Sequence, residues 1–229
     1  MRALFIVTGS DKATWMSEVT HPYWHLSEHG VKIDFATPEG NRIAWDPLSD
    51  PSTEGSAEPD DLVTKGFLSD KDLVAKLKST SKLRHVDLGK YDAVHVAGGL
   101  GAVFDLFPNP DVAAALEHFW EKDKVIGAIC HGAIALANNP DRIRGRHVTG
   151  YTRVEDAVLE KRLGDSVKIP NFPEIALKEA GANFHGVRPL EARVVIDNKL
   201  ITGQNQFSAS DYGIALYHAM TGQTPVMTI

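Results

Sequence analysis

Lys124-Val125-Ile126-Gly127-Ala128-Ile129-Cys130-His131-Gly132-Ala133-Ile134-Ala135-Leu136-Ala137 changes character in its middle. It opens as an apolar run of strand type and continues as a small-residue run of helix type. The chain's single cysteine sits at the join, with a histidine directly after it. Ala128 and Gly132, two residues to either side, are small, as a sharp strand-to-helix bend requires because it crowds its neighbours. Such a nucleophile elbow lifts its reactive side chain over the end of a sheet. The helix that follows offers free N–H groups and a positive dipole end, which favour a thiolate over a thiol. A solitary cysteine is commonly inert core, but its place at an elbow points to a nucleophile.

Outward from this stretch, strand and helix patterns alternate. Ala3 to Thr8 reads as a first strand, followed by a polar loop to Ser17 that leads to Glu18. Pro22 suits the first turn of a helix, so a helix is expected over Pro22 to His29, ended by Gly30. Val31 to Ala36 reads as a second strand. Residues 41–68, rich in Asp, Pro, Ser and Gly, read as a loop-rich insertion, either a lid or binding segment or a surface excursion. A helix is expected over Asp70 to Ser79, and a strand over Tyr91 to Ala97, ending in Gly98-Gly99-Leu100-Gly101. An amphipathic helix is expected over Asp111 to Lys122. After the elbow come a short strand at Arg146 to Thr149, helices around Ala157 to Leu163 and Pro173 to Ala180, paired strands at Val194 to Ile196 and Leu200 to Thr202, and a closing helix from Ser208 to Thr221. This alternation predicts a single α/β domain with a parallel or mixed sheet covered by helices on both faces. Ligand sites in such folds lie beyond the carboxyl ends of the strands, where Cys130, Gly98-Gly99 and the segment before Glu18 all fall.

Composition narrows the function. With 229 residues and 43% hydrophobic residues the chain can bury a real core, and a net charge of −6 argues against a nucleic-acid surface. One cysteine permits no intramolecular disulfide and fits a reducing compartment. No apolar run is long enough to span a bilayer, and the five-residue run at Ala3–Val7 is too short for a signal-peptide core. A cytoplasmic protein is expected.

Around Cys130, His131 could move a proton with its side chain or stabilise an oxyanion with its backbone N–H. The Gly99 N–H reads as the second oxyanion donor. The third glycine of a dinucleotide fingerprint is missing after Gly99-Leu100-Gly101, and there is no phosphate-binding loop; no cofactor is expected. Glu18, set beside the thiol in an apolar pocket, would have a raised pKa and could serve as a protonated partner or proton shuttle. Glu18, His21 and His25 have the spacing of ligands on one helix face, but such residues are more often ordinary polar groups, and no metal is expected.

Glu18, Ala97-Gly98-Gly99-x-Gly101 and Ala128-Ile129-Cys130-His131-Gly132 resemble the ThiJ/PfpI superfamily, whose fold is like that of the class I glutamine amidotransferases. Asp34-Phe35-Ala36-Thr37-Pro38-x-Gly40, Asp46-Pro47-Leu48-Ser49, Phe104-Asp105-Leu106, Thr149-Gly150-Tyr151-Thr152 and Thr202-Gly203-Gln204-Asn205-Gln206 are similar to the heat-shock-protein-thirty-one type, which includes glutathione-independent glyoxalases (glyoxalase III) and holdase chaperones. The resemblance implies a flavodoxin-like three-layer sandwich, mainly parallel. It implies a Cys-His-acid triad with a Glu near the thiol, carried here by Cys130, His131 and Glu18. The third member falls at Glu155 or Asp156, with Asp156 favoured by its distance from Thr149. The implied activity is conversion of methylglyoxal, a small 2-oxoaldehyde, to lactate, alongside or replaced by chaperone or deglycase action on unfolded proteins. The same triad could run an amidase, a peptidase or an isonitrile hydratase, or act as a redox sensor. A homodimer is also implied. Leu100 stands where relatives often have His, and Ala133 where they often have Pro.

Overall fold

The computed structural model describes residues 1–223. Its strands are β1 (Arg2–Ile6), β2 (Lys32–Thr37), β3 (Ser81–Lys82), β4 (Ala93–Val96), β5 (Val125–Ile129), β6 (His147–Val148), β7 (Asn183–Phe184), β8 (Val194–Asp197) and β9 (Leu200–Gly203). Seven of them form one sheet in the order β3-β2-β1-β4-β5-β9-β8, parallel throughout except for β8, which runs antiparallel to β9. β6 and β7 form a separate parallel pair. The helices are α1 (Ser17–Glu28), α2 (Leu62–Ser69), α3 (Lys71–Lys78), α4 (Ala102–Asp105), α5 (Pro110–Glu121), α6 (Pro140–Ile143), α7 (Arg153–Leu163), α8 (Pro173–Glu179) and α9 (Ala209–Thr221). This is the mostly parallel, helix-covered sheet that the alternation predicts, in the flavodoxin-like sandwich that the resemblance implies. No helix among the described residues is long and apolar enough to cross a membrane.

The pleat of the strands sorts the core. Leu4 and Ile6 of β1 point to one face with Val94, Val96, Ile126 and Ala128; there they pack with α5, α8 and the run after the elbow. Ala3, Phe5 and Val7 point to the other face, against α1 and α9. Phe5 is fully buried, with ring centroids 5.6 Å from Phe35 and 4.4 Å from His95.

Four expectations are corrected. α1 starts at Ser17, not Pro22, so Pro22 lies inside the helix. A proline there removes a helical hydrogen bond, and the freed carbonyl of Glu18 is taken up by a donor from the sheet, His95 Nε2, at 3.0 Å. Residues 41–68 are not loop throughout: Asp61 caps α2 by accepting from the backbone N–H of Val63 and Thr64. α7 starts at Arg153, earlier than the patch around Ala157, because Thr152 and Glu155 cap each other's backbone. The run Cys130–Asn138 winds as a 3-10 helix. The short strands β3 and β7 carry too few residues to show a period in the sequence.

Phe5→Ala is expected to destabilise the fold by about 3–5 kcal/mol, the usual cost of emptying a buried aromatic site. Urea unfolding should show a lower midpoint with an unchanged slope.

Candidate active site

β5 delivers Cys130 to the carboxyl end of the sheet, where its backbone takes φ 57°, a left-handed conformation unusual for a residue with a side chain. Strain of this kind persists only where the surroundings enforce it. Here the enforcement is close packing: a Cβ on Gly132 would stand 2.5 Å from the Ala97 carbonyl oxygen. The bend aims the Cys130 and His131 side chains at each other, with Sγ 3.6 Å from His131 Nδ1. Neighbours at an elbow can diverge, and these do not.

On the far side of the imidazole, His131 Nε2 donates to Asp156 Oδ1 at 2.9 Å, and both residues are buried. The bond fixes a proton on Nε2 and leaves Nδ1 to exchange one with the sulfur. Of the two candidate acids, Asp156 is therefore the one facing His131. Glu155 is occupied elsewhere. It accepts from Thr152 N–H at 2.9 Å and Thr152 Oγ1 at 2.7 Å, and from Asn205 Nδ2 at 2.8 Å. Gln204 and Asn205, quoted above for their resemblance, thus bind the cap of α7 rather than the sulfur.

Glu18 lies in the first turn of α1 and is fully buried. A Cβ on Gly98 would run into its Oε2 and into Cys130 Cβ alike, so the two side chains share the space above that glycine. Neither carboxyl oxygen has a well-formed hydrogen bond, and the acid rests against Cys130 and the Gly98 backbone. Burial holds its pKa well above the carboxylate range, with Glu58 and Glu155 adding to the rise.

The thiol departs from its expectation. Burial and the neighbouring Glu18 push the Cys130 pKa up, while the backbone N–H groups of His131 and Gly99 pull it down. The elbow alone therefore does not yield a free thiolate. A protonated Glu18 no longer repels the anion and can donate to it, so the two groups titrate as a pair.

Glu18, His21 and His25 do not converge. His21 Nε2 lies 3.0 Å from Asp61, His25 Nε2 lies 3.0 Å from Ser210 Oγ, and Glu18 faces the sulfur.

The sulfur and both its partners open onto a cavity of about 350 Å³. Its wall is mostly apolar, with Trp15, Leu100, Tyr151, Leu159 and Phe207. The Tyr151 ring sits 4.2 Å from the His131 ring. The insertion supplies Asp46 and Ala57 to the wall. Its Glu58 accepts from Trp15 Nε1 at 2.7 Å and from Ser17 Oγ at 3.1 Å, which ties the insertion to the loop before α1 and to the first residue of that helix. Trp15 and Glu58 escaped the sequence reading, and Tyr151 entered it only within a quoted motif, since each reaches the site through a long-range contact with no local pattern.

The model of the DJ-1/PfpI family matches residues 1–219. A bovine glutamine amidotransferase-like class 1 domain-containing protein 1 is 34% identical over 131 residues, which is 57% of this chain and 60% of that protein. Glutathione-independent glyoxalase hsp3102 of Schizosaccharomyces pombe is 28% identical over 94% of this chain and 92% of its own length. The X-ray structure of Rapid Encystment Protein 24 kDa of Francisella tularensis superposes with a TM-score of 0.83 at 32% identity, covering 96% of this chain and 99% of that one.

A carboxyl that binds its proton more tightly folded than unfolded favours the fold at low pH. That contribution is lost as pH rises from the ordinary carboxylate range through the raised folded value. Glu18→Gln removes the dependence. Its melting temperature should gain on the native protein steadily as pH rises above the carboxylate range, in scans taken across the pH range; parallel curves would mean that Glu18 ionises normally.

Proposed function

This chain belongs to the DJ-1/PfpI family, and from that footing we propose that it is a cofactor-free, cysteine-dependent enzyme converting methylglyoxal to lactate without glutathione. The observation that carries the reading is the Cys130 sulfur set between His131 Nδ1, at 3.6 Å, and the buried acid Glu18, on the floor of a mostly apolar cavity. The name of the S. pombe relative agrees with the chemistry such a site can perform.

The thiolate adds to the aldehyde carbon, forming a C–S bond, and the carbonyl oxygen takes a proton to give a hemithioacetal. Glu18 or His131 removes the hydrogen left on that carbon as a proton and returns one to the neighbouring carbon, through an enediol. The former aldehyde carbon is thereby oxidised and the former ketone carbon reduced, so no outside oxidant is needed. The product is a thioester of lactate. Water attacks it, the C–S bond breaks, and lactate leaves with the thiol restored. Oxyanion stages are met by the Gly99 and His131 N–H groups, and Asp156 keeps the imidazole in the tautomer that serves the sulfur. The protein's own sulfur does what a free thiol does elsewhere.

A second reading has its own observation. Val158, Leu190 and Phe207, which line the mouth of the cavity, are 62%, 60% and 49% exposed. Such an apolar rim suits holdase binding of unfolded segments, and suppression of client aggregation by Cys130→Ala protein would separate it from the enzymatic reading.

Pure protein mixed with methylglyoxal should release lactate in the absence of glutathione. Cys130→Ala should abolish the activity, and Asp156→Asn, by leaving His131 in the wrong tautomer, should lower kcat by roughly 10²–10⁴-fold, the range for losing the general acid–base step that His131 supplies. Lactate release by the Cys130→Ala protein at the native rate would end the proposal.

A further inference from the structure

Behind the sheet end that carries Cys130, two fully buried side chains, one from β4 and one from α9, form a line of hydrogen bonds that ends on one backbone carbonyl of α1. Pro22, inside α1, has no N–H, so the carbonyl of Glu18, four residues earlier, lacks its usual helical donor. His95 Nε2, from β4, lies 3.0 Å from that carbonyl oxygen. Because a carbonyl only accepts, Nε2 must carry the proton, and His95 Nδ1 must be the acceptor. The Tyr212 hydroxyl of α9 donates to it at 2.7 Å. His95 and Tyr212 are both fully buried. Room for the tyrosine is made on β5: a Cβ on Gly127 would collide with Tyr212 Oη. The Phe5 ring closes over the imidazole, 4.4 Å away between centroids.

We propose that His95, oriented by Tyr212, is a positioning residue for the active-site acid: it holds the one turn of α1 whose helical bond Pro22 removes, and so fixes the Glu18 carboxyl against the Cys130 sulfur. Several details fit this role better than simple core filling. A buried imidazole is costly unless both nitrogens are satisfied, and here both are, in one tautomer. Burial drives its pKa down to about 3, so it stays neutral and places no positive charge behind the acid. The residue it grips is also the one whose side chain meets the sulfur. The bond therefore ties the sheet that carries the nucleophile to the helix that carries the acid.

The inference rests on reading Glu18 and Cys130 as a working pair, and its test is independent of the substrate. The rate of Cys130 alkylation by iodoacetamide, followed by intact mass against pH, reports how the acid acts on the thiol. The Glu18→Leu profile marks loss of coupling. His95→Leu should move the profile about 1 pH unit, the scale of one hydrogen bond, to meet that of Glu18→Leu. Tyr212→Phe should move it less, in the same direction, and serves alone if His95→Leu does not fold. Pro22→Ala restores a backbone N–H to the Glu18 carbonyl, so His95→Leu with Pro22→Ala should return at least halfway to the native profile. A merely structural role would lower the melting temperature and leave the profile in place. A native profile in folded His95→Leu and Tyr212→Phe overturns the inference, as does one in Glu18→Leu. Lactate production is scored separately: its absence with the profile shifts intact removes the methylglyoxal reading and leaves the positioning role standing.

Discussion

Two ionisable groups buried against each other, the Glu18 carboxyl and the Cys130 thiol, set the terms for this molecule. Neither group can be charged cheaply alone in that surround, and both together would be worse. Burial favours the protonated form of each, and a single negative charge on the pair costs less than two. The other features of the site surround this pair. The bend at Cys130 brings the sulfur to the cavity floor, and the Gly99 and His131 amides face it. The His131 ring, bonded to Asp156, lies beside the same sulfur.

Geometry makes the bend possible and packing keeps it. A residue with φ 57° would relax if it could. It cannot, because Gly132 lies under the Ala97 carbonyl and Gly98 lies under both Cys130 and Glu18. The loop after β1 is fastened as closely. Thr14 Oγ1 donates to the Gly98 carbonyl at 2.7 Å, and Gly101 N–H donates to the Ala13 carbonyl at 2.8 Å. Glu18, Cys130 and the Gly99 and His131 amides therefore sit on segments bonded directly to one another, the kind of placement that chemistry sensitive to sub-ångström geometry needs.

Much of this was legible in the residues. The switch from strand to small-residue helix at Cys130 located the bend, and the family resemblance, with the distance from Thr149, favoured Asp156 over Glu155 as the acid that faces His131. Glu18 was visible as a residue but its full burial was not, because a single Glu carries no local sign of what will fold over it. The thiol was misjudged for the same reason. A helix start and glycine amides are sequence features, whereas desolvation belongs to the assembled fold. Pro22 misled by its preference for first turns; the donor that lets it stand inside α1 comes from His95, seventy-three positions along the chain in a strand that reads as plain core. The insertion looked like loop because Asp61 starts a helix too short to display a period.

Thr152 and Glu155 do more than finish a helix end. An α-helix turns by about 100° per residue, so the angular position of every side chain on α7 follows from where its first turn is pinned. The reciprocal cap pins it, and Asn205 and Gln204 lock the cap from outside. Asp156 is then indexed to His131 as a tooth is to a gear. A one-residue insertion or deletion between the cap and Asp156 would swing the carboxyl a quarter-turn off the imidazole while leaving the helix itself intact. Length variation in this lineage should accordingly be tolerated beyond Leu163 and purged before Asp156.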